Sequence, residues 1–341
     1  MSGRTGRFHS LDVIRGLAAL SVTAYHCVNS HPSVHESVAG RALLYGWAGV
    51  FLFFPVSGYC IAAALETAEN ASLGRFLRRR WRRIFPPYWA SIGVAVIVGL
   101  AALPFNRGTL EDFTLPPHAW LATLTLTQIF TPFSNAISPV YWSLGYEEQF
   151  YLVMALLLLG RRPHRALALT AVTLAAAIYR AVPGWFVQGL FLNYWLAFAL
   201  GCAVYMWLHA REERRYAAII VAAAAVTAVR SADLPLAVSL GTALAMVALA
   251  PRDEPFTSST AARPLLALGA VSYSLYLIHV PIGGRIANLL VRFDAPLWVS
   301  GPAAVLGSVV AAVLFFRVVE RRSLPRRSQS AAAVAGVVVR V

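Results

Sequence analysis

Apolar runs of about 20 residues recur along the whole chain with only short polar breaks between them. That pattern leaves few folds open, because a run of this length is what a helix needs to cross the hydrocarbon core of a bilayer. Inside the bilayer every backbone N–H and C=O must be satisfied within the segment, which favours helices. Of 341 residues, 58% are hydrophobic and 13% charged, against about half and a quarter in soluble domains. No long polar stretch divides the chain. An all-α, polytopic membrane helix bundle is therefore expected over residues 1–322, followed by a disordered tail over 323–341.

Ten spans can be drawn, near 11–29, 42–65, 86–104, 143–160, 166–182, 189–208, 216–230, 235–250, 265–290 and 297–318. The N-terminal run resembles a signal peptide, but it carries Asp12 and Arg15 and no small-residue cleavage site follows, so it reads as a retained helix. The basic residues test the count. All 29 are arginine, and with both termini cytoplasmic 22 fall inside and six outside, as the positive-inside rule requires. Arginines spaced between spans are topogenic, which argues against a nucleic-acid partner. The absence of lysine excludes a lysine nucleophile or Schiff base.

Two segments are more than connectors. Residues 70–85 form a basic amphipathic stretch expected to lie on the cytoplasmic face, ended by Pro86 and Pro87, which should break a helix. Residues 105–141 form the longest extracytoplasmic loop, in which 118–130 reads as a short helix or a re-entrant piece. Cys27, Cys60 and Cys202 all fall in apolar runs and read as small core residues, with neither zinc-ligand spacing nor a disulfide framework. The eight histidines are scattered singly, so neither a metal site nor a bound cofactor is expected.

A charge near the bilayer centre costs about 2.5–3.5 kcal/mol even on the gentler scales, so each one asks for a reason. Arg15 and His26 lie 11 residues apart in the first span. That is roughly 20° from three whole turns and about 16 Å along the axis, so both face one way at different depths. Gly16, Ala18 and Ala19 between them let other helices approach closely. The fourth span opens with Trp142 and Ser143 and brings Glu147 into the same half of the bilayer as His26. A carboxylate beside a neutral imidazole makes it a better general base. Glu148 suits the helix N-terminus. In the second span Pro55, Ser57 and Gly58 mark either a packing kink or an opening at mid-membrane. In the ninth, Ser272, Tyr276 and His279 share a face that should look onto a polar interior.

Taken together, these pieces resemble the membrane-bound acyltransferase family 3. Arg15 followed by His26 is similar to its Arg-x10-His signature, and Phe53-Phe54-Pro55-Val56-Ser57-Gly58 to its Phe-Phe-x-x-Ser-Gly element. Arg80 and Arg83 stand in an Arg-x-x-Arg element before Pro86. Trp142-Ser143-Leu144 to Glu147 and Ser272 to His279 supply two more elements in order. The resemblance implies a ten-helix, stand-alone acyltransferase of the bacterial inner membrane. It implies acyl-CoA (acetyl-CoA) as co-substrate and a carbohydrate or glycoside hydroxyl as acceptor.

In that reading Arg80 and Arg83 hold the donor's phosphates, while Arg15 positions the donor or stabilises an oxyanion. His26, oriented by Glu147, acts as general base or carries the acyl group transiently. Ser57, Trp142, Ser143, Tyr276 and His279 line or support the path. The alternative is a proton-coupled transporter, since buried Arg, His and Glu also build proton relays. Transporters generally show repeated halves with interrupted helices, and no such symmetry is visible here.

Overall fold

The computed structural model describes residues 8–67, 72–103 and 114–324, with the backbone alone at 162–163 and 255–256. All regular structure among them is helical. In chain order come α1 (Ser10–Val28), α2 (Val38–Leu44), α3 (Val50–Leu65), α4 (Leu73–Ala102) and α5 (Pro117–Leu124). They are followed by α6 (Trp142–Leu156), α7 (Arg162–Ala181), α8 (Trp195–His209), α9 (Arg214–Arg230) and α10 (Leu234–Leu249). The last are α11 (Asp253–Thr257), α12 (Arg263–Ala270), α13 (Ser272–His279), α14 (Arg285–Arg292) and α15 (Leu297–Phe315).

Six helical runs are long and apolar enough to cross a membrane: Ser10–Val28, Val38–Leu65, Leu73–Ala102, Leu234–Arg252, Ser272–Arg292 and Leu297–Ser323. This is the architecture of a polytopic helical membrane protein. The other runs read from the sequence are helical too, but α6, α8 and α9 are shorter. Helix α7 is long enough but ends in arginines. The stretch 118–130 resolves into α5 and a 3-10 turn at Gln128–Phe130. Most of the tail expected to be disordered lies outside the described residues.

Small residues set how closely the helices pack. A Cβ on Gly58 of α3 would lie 1.9 Å from the Phe198 carbonyl oxygen, and one on Gly201 of α8 would lie 1.8 Å from that of Pro55. The two backbones therefore touch, and the interruption read at Pro55 and Gly58 is a packing feature of a continuous helix. Around this crossing Phe54, Phe150 and Phe198 stack, with ring centroids 4.3 and 4.6 Å apart. Trp142 joins the same layer against Phe51, Tyr146 and Tyr194.

Helix α1 runs through the bundle against α12, α13, α3 and α15. Gly269 faces the Asp12 carbonyl so closely that a Cβ there would lie 1.9 Å from it, and Gly16 faces Leu265 in the same way. Ala18 and Ala19 are fully buried, as their size predicts. The first turn of α1 is closed from a distance. Asp253 accepts hydrogen bonds from the His9 and Ser10 backbone N–H groups, at 2.9 and 2.6 Å, and from the Ser10 hydroxyl. A carboxylate there satisfies donors the helix cannot satisfy itself and meets the positive end of its dipole.

Two expectations are corrected here. Pro86 and Pro87 do not end a helix, because α4 runs through them from Leu73 to Ala102, 30 residues in all. Proline fits helical φ, although it removes an N–H and crowds the preceding turn, and beside the step the Tyr273 hydroxyl donates to the Ile84 carbonyl at 3.0 Å. The basic stretch is therefore the first half of a long helix. The ninth span also breaks at Val271, between α12 and α13. It continues from Ser272 through a π-helical turn at Val280–Gly284 into α14.

Gly201→Val should put a branched side chain where the Pro55 backbone lies. It should cost at least about 3 kcal/mol of stability, beyond ordinary overpacking. The thermal midpoint of the detergent-solubilised protein, followed by size-exclusion chromatography, measures this.

Candidate active site

Helices α1, α3, α4, α6 and α13 enclose a cavity of about 90 Å³ near the N-terminal end of α1. Arg15, Arg80 and Arg83 reach it, along with Ser57, Glu147, Tyr151 and Tyr276. The 3.6-residue helical repeat explains much of this: Arg80 and Arg83 share a face of α4, and Ser143, Glu147 and Tyr151 share a face of α6. Glu147 Oε1 accepts from the Ser57 hydroxyl at 2.7 Å and from the Tyr151 hydroxyl. Arg80 lies over the Phe76 and Tyr151 rings, 5.6 and 5.9 Å from their centroids. Its Nε is buried without a hydrogen-bond partner. Arg15 keeps its i−3 partner Asp12 at 3.9 Å. Three guanidiniums thus meet one carboxylate on the wall, which suits an anionic ligand.

His26 is elsewhere. It lines a second cavity of about 480 Å³ near the C-terminal end of α1, with Asn29, His31, Asn135, Arg285 and Asn288. Its neighbour is His279, with ring centroids 5.2 Å apart, and Tyr25 packs edge-on at 4.8 Å. The His279 ring is fully buried. Its Nδ1 lies 2.9 Å from the Leu275 carbonyl oxygen, which can only accept, so Nδ1 carries the proton in the neutral ring. That leaves Nε2 as a bare nitrogen with no partner. The π-helical turn begins at the next residue, and such turns recur at functional sites.

The expected pairing of Glu147 with His26 is therefore absent. Helix α6 presents Glu147 to Ser57 and the arginine cavity, toward the other end of α1 from His26. The imidazole beside His26 comes from α13 instead. Tyr276 bridges the two regions: it lines the first cavity, and its ring lies 6.0 Å from that of His279. The Tyr276 hydroxyl lies 2.6 Å from the Ser143 hydroxyl and donates to the Val140 carbonyl at 2.8 Å. Ser272, Tyr276 and His279 are all buried in the interior, as their shared face predicts.

Trp142 packs in the aromatic layer and does not line the cavity. Glu148 does not decorate a wet helix end, because its Oε1 is buried without a partner. Cys60 is not a core residue but opens onto the arginine cavity.

The sequence reading missed Glu320. It lies buried at the end of a π-helical turn after α15, where the Ser274 N–H and hydroxyl donate to Oε2. It interacts electrostatically with Arg83 and Arg15. The available signal was one carboxylate in an otherwise apolar run, masked by the arginines beside it. Among the described residues no group of three or more His, Cys, Asp or Glu converges to hold a metal.

The chain is 30% identical to BcsY of Komagataeibacter xylinus, which carries the name membrane-bound transacylase, over 93% of this chain and 83% of that protein. It is 31% identical to the peptidoglycan O-acetyltransferase OatA of Listeria monocytogenes, over 44% of this chain. It is 28% identical to the O-acetyltransferase OatA of Staphylococcus aureus over 43%. The matched parts span about a quarter of each OatA protein, 24% in both cases. No solved structure matches the chain. A family model described as an acyltransferase domain matches residues 8–317. Nearly the whole chain, including both cavities, lies within that match, and the chain belongs to the membrane-bound acyltransferase family 3 that its motifs resemble.

Proposed function

We propose that this chain is an O-acyltransferase of the bacterial inner membrane with ten spans and both termini cytoplasmic. It moves an acyl group, acetyl in the simplest case, from cytoplasmic acyl-CoA to a hydroxyl of a carbohydrate or glycosylated acceptor. The observation that carries this reading is the placement of an arginine-rich cavity and a histidine-lined cavity near opposite ends of one helix. The names of OatA and BcsY support the reaction class and, for OatA, a glycan acceptor.

In this reading Arg80 and Arg83 hold the phosphates of the donor and Arg15 steadies its pantetheine arm, which carries the thioester end along α1 toward His26. Glu147 keeps the guanidiniums apart and oriented through Ser57 and Tyr151. The acceptor hydroxyl enters the second cavity. His26 removes its proton as the oxygen attacks the acyl carbonyl; the ester bond forms, the C–S bond breaks, and the thiolate leaves to be protonated as free CoA. His279 takes the orienting role first read for Glu147. Its bare Nε2 is an acceptor beside the His26 ring: when the acceptor hydroxyl binds, a small rotation of His26 brings one ring N–H to that nitrogen and turns the opposite nitrogen of His26 toward the hydroxyl.

Three variants test the assignment, each read by transfer of radiolabelled acetyl groups in purified membranes. His26→Ala should lower transfer at least about 100-fold while the protein still inserts, since general-base catalysis supplies 10²–10⁴-fold. Unchanged transfer would remove His26 from the chemistry. Arg80→Ala, alone or with Arg83→Ala, should raise the KM for acetyl-CoA about ten-fold per lost charge-assisted contact and change kcat less. His279→Ala should lower kcat about ten-fold and leave the acetyl-CoA KM within about two-fold, because it acts on the base and not on the donor. A uniform loss in KM and kcat would show a purely structural His279.

A further inference from the structure

The second cavity has one strong cation besides its histidines. Arg285 begins α14 directly after the π-helical turn and is half-buried where it lines the wall. Its guanidinium makes no hydrogen bond or ion pair with any described residue, and no carboxylate lines the cavity among them. The rest of the polar wall is neutral, with the amides of Asn29, Asn135 and Asn288 and the hydroxyl of Ser30 beside the imidazoles.

Other arginines that fall outside in the same topology are engaged or exposed. Arg41 donates to the His35 carbonyl at 2.9 Å, and Arg180 pairs with Asp233 and donates to the Asn193 carbonyl. Arg292 has partners of its own, and Arg230 is exposed. An arginine on the outer side works against topogenesis, which prefers cations in the cytoplasm. A half-buried guanidinium without a counter-ion is also unfavourable by itself. Both costs are offset if an anion arrives with the ligand, and a guanidinium fork suits a phosphate or a carboxylate.

We propose that the second cavity takes an acceptor bearing an anionic group, a phosphate or a carboxylate, which Arg285 holds while His26 deprotonates the neighbouring hydroxyl. This deepens the acyltransfer reading and rests on it. The amides around the cavity hydrogen-bond the remaining hydroxyls of a polyhydroxylated acceptor, and Arg285 discriminates against its neutral and cationic counterparts. The anion has two chemical sources, the phosphate of a lipid-linked glycan or an acidic group on the glycan itself.

The test compares cells expressing the full chain, its Arg285→Gln variant and its Arg285→Lys variant, with labelled acetate and mass spectrometry of every product that gains an acyl mass. The acylated product should bind an anion exchanger. Arg285→Gln should lower its yield by about ten- to a hundred-fold, the worth of one hydrogen-bonded charge. Arg285→Lys, which keeps the cation, should recover most of it. Partition into organic solvent, with loss of the anion on mild acid hydrolysis, assigns the phosphate of a lipid carrier. Retention in water assigns a phosphate or carboxylate of the glycan. An acyl group found on a neutral acceptor, or a yield unchanged in Arg285→Gln at equal protein level, overturns the anionic acceptor and leaves the acyltransferase standing. No acylated product in any of the cells overturns the acyltransfer reading and this inference together.

Discussion

Placing Arg15, Arg80 and Arg83 together inside an apolar bundle is the constraint on which the surrounding structure depends. Each charge drawn from water into apolar surroundings loses hydration, and bringing three together adds repulsion. The wall is built to limit that cost. Glu147 stands among the guanidiniums, held by Ser57 and Tyr151. Arg80 rests over two aromatic rings, where the quadrupole favours a cation. Glu320, anchored by Ser274, adds a second negative charge within reach of Arg15 and Arg83. Removing any of these carboxylates leaves buried cations less compensated, so the cavity and the stability of the bundle are one problem.

Helix α1 joins that cavity to the second one. Its position is set by backbone contact, with Gly16 and Gly269 bringing α12 against it, and by Asp253 closing its first turn. Two residues 11 apart on a rigid helix then stand about 16 Å from each other, whatever their side chains do. One helix thus measures the separation between the arginine cluster and His26. Between them Tyr276 and His279 form a chain of rings, 6.0 and 5.2 Å from centroid to centroid, on a helix that changes winding just beyond. The π-helical turn shifts the following helix and brings Arg285 round to the second cavity.

The match to BcsY runs over nearly the whole chain, whereas the matches to the OatA proteins cover less than half of it. The family match over residues 8–317 takes in the helical bundle with its two cavities. Motif residues reach both cavities, Arg15, Arg80, Arg83 and Glu147 the first and His26 the second.

Much of the site was legible before any coordinates. Runs of apolar residues determine helices because lipid leaves no other way to satisfy the backbone. A charge within such a run declares itself by its cost. That is how Arg15, His26, Glu147 and His279 stood out, and how Gly16, Ala18 and Ala19 announced a close helix crossing. Helical periodicity also determined which residues of one helix share a face, as with Ser143, Glu147 and Tyr151. It could not determine rotation about the axis relative to other helices, because several partners of similar apolar character were available to each face. Only the tertiary structure decided that Glu147 turns to Ser57 and the arginines while His279 comes to His26. Local rules also misjudged Pro86 and Pro87, since packing on both sides of the step holds the helix together against the lost N–H bonds and the crowding of each ring on the preceding turn. The sequence by itself determined which polar and charged residues would have to be accommodated inside the bundle, because desolvation is a local penalty. Which of them meet was decided by packing, because close contacts between helices far apart in the chain, Gly58 on α8 and Gly269 on α1 among them, fix how each helix is turned.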